Sequence, residues 1–196
     1  MSLDDGSVDA VEALIRWQHP TLGLLSPDRF IPLAEQTGLI DRVTEWVVKR
    51  AISDLGSWRE DLCMAVNVSA RNLGHAGLVD HLIDSLEAAA VSPDRLYVEI
   101  TETALMTDPE RAAVVLEHLH NAGIRISIDD FGTGQTSLSY LSALPIDEIK
   151  IDRSFIADMT ASAGHSAIVR SIVDLGHNLG FHVVGEGVET PKSHLR

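Results

Sequence analysis

The chain has 196 residues, with 29 acidic against 15 basic side chains and a formal net charge of −14. This excess of acid argues against binding to polymeric DNA or RNA, which requires a basic surface to displace counterions. No apolar run reaches the roughly 18 residues of a membrane helix, and the single cysteine, Cys63, excludes an internal disulfide. These features predict one domain of a cytoplasmic protein, or the cytoplasmic part of a larger, membrane-attached one.

Apolar segments of strand length alternate with longer helical patterns along the chain. Strands are predicted over residues 9–17, 63–69, 95–101, 124–129, 147–152 and 181–186. Helices are predicted over residues 27–36, 39–59, 77–90, 109–122, 137–143 and 165–179. This alternation is typical of a parallel sheet covered by helices.

Two parallel architectures fit that order, an open doubly wound sheet and a closed (β/α) barrel. An open sheet that binds a nucleotide has a glycine-rich turn after an early strand. The best match, Gly132-Thr133-Gly134, follows the fourth predicted strand, and Ser137 stands where a third glycine is needed. The sequence therefore favours the barrel.

Each predicted strand places polar or charged side chains on one face, because alternate strand residues point the same way. The aligned polar residues are Glu12, Arg16, Asn67, Ser69, Glu99, Thr101, Ser127, Asp129, Glu148, Lys150, Asp152 and Glu186. A single acid at a strand end is usually a helix cap or a solvated charge. Six strands with matching parity instead predict an active site at the C-terminal mouth of a barrel.

The candidate metal ligands carry only oxygen donors; they are Glu12, Asn67, Glu99, Asp129 and Asp130. Several carboxylates in one mouth of low dielectric need a compensating cation, and oxygen ligands select Mg²⁺, Mn²⁺ or Ca²⁺ over zinc. A divalent ion can orient a phosphodiester and activate a water. Lys150 is then a candidate for holding that water, and Glu186 is a candidate base.

Six short motifs span nearly the whole chain. They are EALIRW (12–17), NVS (67–69), EITE (99–102), DDFGTG (129–134), KID (150–152) and EGVE (186–189). In order and spacing they resemble the EAL phosphodiesterase family, and six matches in register are far more specific than any one of them. The resemblance implies a modified TIM-type (β/α) barrel that hydrolyses cyclic di-GMP to linear pGpG with one or two Mg²⁺ or Mn²⁺ ions.

The resemblance also implies a role for each site residue by its motif position. The metal ligands would be Glu12, Asn67, Glu99 and Asp129, with Asp130 serving a second metal. The catalytic water would be held by Lys150, and the base or its positioner would be Glu186. The substrate would be contacted by Leu14, Arg16 and Asp152. The loop that begins at Asp130, which couples the metal site to dimerisation in the family, would be steadied by Glu102.

The chain departs from the family pattern in two ways. Gln135 stands where family members usually carry an aromatic residue, and we expect a mild effect. Six strands are predicted where the fold has eight, and 196 residues compare with about 250. We therefore expect one EAL-type domain over residues 1–196 that lacks its first and last strands. Its exposed strand edges would favour self-association, and its incomplete substrate wall would leave activity weak or absent.

Two other functions stay open at this point. A related barrel can sense cyclic di-GMP without cutting it, although degenerate family members usually lose metal ligands or the lysine, and all of these are present here. An enolase-like barrel also uses carboxylate-bound Mg²⁺ and a lysine base, but it needs a capping domain that the sequence does not contain. The resemblance further implies a homodimer, and a parent protein with sensory or GGDEF-type domains.

Overall fold

The computed structural model of the protein describes residues 6–59, 61–75, 77–134, 136–159 and 162–188. The strands are β1 (Ala10–Ala13), β2 (Trp17–His19), β3 (Gly23–Leu25), β4 (Cys63–Asn67), β5 (Leu96–Thr101), β6 (Arg125–Phe131), β7 (Glu148–Ile151) and β8 (His182–Gly185). The helices are α1 (Ile31–Thr37), α2 (Ile40–Gly56), α3 (Ala70–Leu73), α4 (Leu78–Ala89), α5 (Glu102–Thr107), α6 (Pro109–Asn121), α7 (Leu138–Leu141), α8 (Arg153–Asp158) and α9 (Ala163–Leu179). Short 3-10 turns lie at Pro27–Arg29 and Pro93–Arg95.

Six strands form one parallel sheet in the order β1-β4-β5-β6-β7-β8. Helices follow the strands along the chain, so each parallel connection crosses back over one face of the sheet. This is the strand order of a (β/α) barrel, as the sequence predicts. Within the described residues, β1 and β8 lie at the two edges of the sheet.

The predicted first strand, residues 9–17, is wrong in its second half. β1 ends at Ala13, and β2 and β3 form a separate antiparallel hairpin. The Trp17 ring, at the start of β2, packs edge-on against Phe30 at 5.7 Å. His19 Nδ1 closes the turn of the hairpin by accepting from the backbone N–H of Thr21 and Leu22, each at 3.2 Å.

The ends of several helices lie at capping residues, prolines and glycines that can be recognised in the sequence. The Asp108 side chain caps α6 by accepting from Arg111 N, with Pro109 in the first turn. α9 ends at Gly180, whose φ of 82° is the left-handed conformation that a glycine adopts at little cost. In the described part of the chain, no helix combines the length and the apolar character needed to cross a bilayer.

The core lies between the sheet and its helices. Val66, Val98, Ile126 and Ile149 are fully buried on the helix-facing side of four neighbouring strands. Burial of each such side chain contributes about 1.5–3 kcal/mol relative to exposure. Packing against the helices therefore holds the strands in place. The side chains that alternate with the buried residues point to the opposite face of the sheet, and their positions are fixed as well.

On the inner face, the strand register aligns polar residues in rows. Asn67 is paired with Glu99, Glu99 with Ser127, and Ser127 with Glu148. The pairing of β6 with β7 shifts between Ile128 and Phe131, and this irregularity contains Asp129 and Asp130, just before the last residue of β6. The inner face thus carries polar groups toward the C-terminal ends of the strands, where a barrel places its active site.

Candidate active site

Four carboxylates surround one ammonium group at the C-terminal ends of the strands. Lys150 Nζ lies 2.8 Å from Glu186 Oε1, 2.9 Å from Glu99 Oε1, 3.2 Å from Asp129 Oδ1 and 3.9 Å from Glu12 Oε2. These contacts are ion pairs, and the two shortest, to Glu186 and Glu99, are within hydrogen-bonding distance. We call Glu12, Glu99, Asp129 and Glu186 the carboxylate cluster. It contains more negative charge than the lysine can neutralise.

Asn67 joins two members of the carboxylate cluster. Its Nδ2 donates to Glu12 Oε1 at 2.7 Å and to Glu99 Oε2 at 3.3 Å. The four residues named as ligands of one metal, Glu12, Asn67, Glu99 and Asp129, are thus brought together by direct contacts to one another or to Lys150. Because the amide nitrogen faces the carboxylates, the amide must rotate to offer its oxygen to a cation.

A second group of acids overlaps the carboxylate cluster. Oxygens of Asp129, Asp130 and Glu186 lie within 4.8 Å of one another, close enough to share a metal ion. Asp130 has φ of 53°, a left-handed conformation that is uncommon for a residue with a side chain. Its backbone N–H donates to Asp129 Oδ1 at 3.0 Å. Sequence reasoning names Glu186 only as a base, and its closeness to both aspartates is a finding of the structure.

Burial and like charge set the protonation of the two most enclosed groups. Burial, together with the charges of Glu12 and Asp129, raises the pKa of Glu99 to about 8, although Lys150 opposes the shift. Burial lowers the pKa of Lys150, but the surrounding carboxylates, Glu99 first, outweigh it and raise that pKa above its ordinary value. Lys150 therefore stays charged, while Glu99 readily takes up a proton when no other cation is near.

The remaining acids are shifted by the same causes. Burial raises the pKa of Glu186, against the opposing effect of Lys150. Burial and the charge of Asp129 raise the pKa of Asp130. Asp152 behaves differently, because it caps α8 by accepting from Ser154, and this hydrogen bond lowers the pKa of Asp152. Asp130 and Asp152 also shift each other's pKa, which places Asp152 at the edge of the site.

The two residues expected to contact substrate on the N-terminal side lie beyond the end of β1. Leu14 is 54% exposed, and Arg16 is exposed with its Nη1 donating to Ile15 O at 2.8 Å. Both occupy the connection from β1 to β2, so strand parity does not set their directions. They stand within four residues of Glu12 and can be reached by a ligand from solvent.

Glu102 holds the loop that follows β6. It is 3% exposed, and its carboxylate accepts from the backbone N–H groups of Gly132 at 3.1 Å, Gly134 at 3.0 Å and Thr136 at 2.8 Å. A Cβ on Gly134 would lie 2.6 Å from the carboxylate carbon, so only glycine allows this approach. Glu102 thereby connects α5 to the loop that begins at Asp130. Gln135, the departure noted in the sequence, lies outside the described residues.

Replacing Glu102 with alanine is expected to lower metal affinity and activity by about 10–100-fold without unfolding the domain, the range typical of residues that support a metal site from outside its ligands. The loss arises because three N–H groups lose their acceptor and the loop that begins at Asp130 is no longer fixed by Glu102. Titration with Mn²⁺ and circular dichroism measure the two effects. Glu117→Ala, an exposed acid on α6, is the control. An unchanged Mn²⁺ titration in the Glu102 variant would remove this role.

Comparison with protein families matches residues 1–194 to the EAL domain. Among curated proteins, the chain is 48% identical over 196 residues to cyclic di-GMP phosphodiesterase NbdA of Pseudomonas aeruginosa, covering 98% of this chain and 25% of that protein. It is 46% identical over 190 residues to bifunctional diguanylate cyclase/cyclic di-GMP phosphodiesterase MucR of the same organism, covering 95% of this chain and 28% of that protein. The chain thus spans about a quarter of the length of these relatives.

Solved structures give the same result. The chain is similar to the PaMucR phosphodiesterase in its c-di-GMP complex, with a TM-score of 0.92 and 45% identity over 96% of this chain and 78% of that one. It is also similar to the EAL enzyme Bd1971 in its cAMP- and cyclic-di-GMP-bound form, with a TM-score of 0.91 and 32% identity over 97% of this chain and 54% of that one. The predicted fold class, a modified TIM-type (β/α) barrel, is confirmed. The chain therefore belongs to the EAL domain family.

Proposed function

We propose that this chain hydrolyses cyclic di-GMP to linear pGpG, and so lowers the level of this second messenger. The observation that carries the proposal is the carboxylate cluster around Lys150 at the C-terminal ends of the strands. Such a cluster suits a metal-dependent attack of water on a phosphodiester. The names of NbdA and MucR, both phosphodiesterases of cyclic di-GMP, support the same substrate.

The donors fit one or two Mg²⁺ or Mn²⁺ ions. The proposed ligands of the first ion are Glu12, Asn67, Glu99 and Asp129, and Asp130 is proposed to serve a second. All are oxygen donors, which these ions prefer. The excess negative charge around Lys150 and the raised pKa of Glu99 indicate a site that a further cation would stabilise. A bound divalent ion would supply a Lewis acid that polarises the phosphodiester and lowers the pKa of a water.

The chain's own residues then have separate tasks. Lys150 keeps its positive charge in the cluster, so it can hold the attacking water and offset the charge that develops on phosphate. Glu186, whose pKa is raised by burial, is the proposed base or its positioner. Water oxygen forms a new bond to phosphorus as one ring P–O bond breaks, and the released ribose oxygen takes a proton. The product keeps the second phosphodiester intact.

Leu14, Arg16 and Asp152 are the proposed substrate contacts. Arg16 suits a phosphate because its planar guanidinium can donate two parallel hydrogen bonds. The exposed Leu14 offers an apolar surface beside it. Replacing Arg16 with alanine should therefore weaken nucleotide binding more than it lowers turnover of the bound nucleotide.

The domain is proposed to be one EAL-type unit over residues 1–196 that two further strands would close into a barrel. Support comes from the six-stranded sheet and from the 78% of the PaMucR chain that it covers. We further propose a homodimer in the cytoplasm, within a parent protein that carries sensory or GGDEF-type domains. Light scattering and turnover, compared between this chain and one extended at both ends, test the homodimer and the missing strands; equal turnover from a monomer of this chain would overturn both.

Incubation with cyclic di-GMP and Mn²⁺, followed by chromatography of the nucleotides, tests the proposed reaction. Linear pGpG is expected with Mn²⁺, and none is expected with a chelator. If this chain turns over weakly, the same assay is made with the chain extended at both ends. A bound but uncut nucleotide would make the protein a receptor for cyclic di-GMP. Absence of both binding and cleavage would favour another Mg²⁺-dependent barrel enzyme, such as an enolase-like one.

A further inference from the structure

A buried polar network involves the turn that follows Asn67 in the chain. β4 ends at Asn67, and only Val68 and Ser69 separate it from α3. Val68 N donates to Glu99 O at 2.9 Å, and Ser69 is the N-cap of α3, accepting from Asn72 N at 3.4 Å. Because this connection is so short, the end of β4 and α3 cannot move independently of each other.

Asn72 fixes the placement of α3. It is 2% exposed, and its side-chain oxygen accepts from Thr44 Oγ1 at 2.8 Å and from Ser69 Oγ at 2.9 Å. Its Nδ2 donates to Asp41 Oδ1 at 2.8 Å. One amide therefore joins the cap of α3 to two residues of α2. Such a network is costly to leave incomplete in a buried position.

The anchor of this network is rigid. Asp41 and Thr44 lie in the first turns of α2, a helix of 17 residues whose inner side is part of the core. α3 has only four residues and cannot hold its own orientation. The hydrogen bonds of Asn72 therefore hold the turn after β4 in a fixed position relative to α2.

We propose that Asn72 is a positioning residue for Asn67. It acts through Ser69 and holds the Asn67 amide between Glu12 and Glu99, where a cation would meet it. The metal-binding part of this inference rests on the proposed function, whereas the placement of Asn67 does not. A purely structural role would predict lower stability with an unchanged Asn67.

A pair of near-isosteric substitutions can separate the two roles. Asn72→Asp keeps an oxygen toward Thr44 and Ser69 but sets a second carboxylate against Asp41. Asp41→Asn alone is mild, because its amide can turn to present an oxygen to Asn72. In the double variant Asn72→Asp/Asp41→Asn, the donor sits on the opposite side and the hydrogen bond forms again with its direction reversed.

The first measurement is Mn²⁺ affinity by calorimetry on the whole chain, at a temperature at which every variant is folded. Asn72→Asp is expected to weaken Mn²⁺ binding by about tenfold or more, and the double variant to recover to within about threefold of the parent. Leu116→Val, in the buried face of α6, is the control for a loss of core volume that leaves the side-chain bonds of Asn72 in place. It should leave Mn²⁺ affinity unchanged.

The second measurement needs no metal. With a chelator present, the side-chain amide signals of Asn67 in a ¹⁵N–¹H spectrum should shift in Asn72→Asp and return in the double variant. Thr44→Val, which removes one donor to Asn72, should shift them less and serves if Asn72→Asp does not fold. Unmoved Asn67 signals in these variants, or a Mn²⁺ affinity that falls in Asn72→Asp and does not recover in the double variant, would overturn the inference.

These outcomes are distinct from failure of the proposed function. A parent protein that binds Mn²⁺ but leaves cyclic di-GMP uncut would contradict the hydrolysis, while the affinities of the variants would still decide the role of Asn72. A parent that binds no Mn²⁺ would contradict the metal site, and the Asn67 signals would then decide.

Discussion

Replacing Lys150 with alanine is expected to lower kcat for cyclic di-GMP by about 10²–10³-fold, the usual cost of removing one group that stabilises developing charge. Nucleotide affinity should change by only a few-fold, because the proposed role of the ammonium is to act on the attacking water and on charge that appears in the transition state. Its contacts of 2.8–3.2 Å with Glu186, Glu99 and Asp129 hold it in the middle of the cluster. Stopped assays at saturating Mn²⁺ and nucleotide binding by calorimetry measure the two quantities.

The metal must be saturating in this experiment, since removal of the lysine leaves the carboxylates facing one another. Glu186→Gln should show the same pattern of lost turnover and retained binding. Lys49→Ala, an exposed lysine on α2, is the matched control and should behave as the parent. Normal turnover by the Lys150 variant would show that this residue has no part in the chemistry.

Replacing Glu99 with glutamine is expected to produce two effects of opposite sign. Mn²⁺ affinity should fall by about 100-fold or more, because even residues one contact further from a metal typically give 10–100-fold. The metal-free fold should become more stable at pH 8, by on the order of 2 kcal/mol, because a desolvated charge is removed. Unfolding by urea in the presence of a chelator, followed from pH 5 to pH 9, measures the second effect.

The sign of the pH dependence follows from the raised pKa of Glu99. Its pKa is about 8 in the fold against an ordinary value of 4.5. Between these pH values the folded protein keeps a proton that the unfolded chain has released, so the metal-free fold loses stability as the pH rises. Glutamine has no proton to lose. The stabilities of the two proteins should therefore be close near pH 5 and diverge toward pH 8.

Glu148→Gln provides the control for Glu99. Burial raises the pKa of Glu148 as well, and its carboxylate accepts from Ser127 Oγ at 2.8 Å. It stands two residues before Lys150, at the start of β7 and outside the carboxylate cluster. Its substitution should remove part of the same pH dependence while leaving Mn²⁺ affinity intact. Equal losses of affinity in the two variants would contradict the assignment of Glu99 as a ligand.

The alternation of apolar and polar residues predicts much of this site. Asn67 and Glu99 lie on strands whose parity and length are readable, and the register then pairs them directly. The positions of Leu14 and Arg16 cannot be predicted in this way. The apolar and polar pattern of a strand continues past Ala13, but the strand ends there and the chain enters a hairpin. In the fold Trp17 packs against Phe30, a contact that the spacing of apolar residues does not encode.

Short helices that begin directly after a strand are also difficult to predict from the sequence. α5 begins at Glu102, directly after β5, and its cap Thr101 is itself the last residue of the strand. A strand pattern and a helix start therefore share one residue. The three backbone hydrogen bonds of Glu102 depend on a loop 30 or more residues away, and only the folded chain brings it near.

The contacts of the Lys150 ammonium group cannot be predicted from the sequence. Parity predicts that its side chain faces inward, but not that its ammonium reaches residues on β5, β6 and the chain after β8. The closeness of Asp130 to Asp129 and Glu186 depends on the register shift in β6 and on a left-handed backbone at Asp130. Neither feature has a signature in the sequence.

Anomalous scattering from a crystal grown with Mn²⁺ tests the central claim most directly. We predict a peak within bonding distance of side-chain oxygens of Glu12, Asn67, Glu99 and Asp129, with the Asn67 amide turned so that its oxygen faces the ion. A second peak near Asp130 would mark the second ion. A well-ordered crystal in which these four side chains bind no Mn²⁺, at a concentration that supports turnover, would contradict the assignment of the cluster as the metal centre.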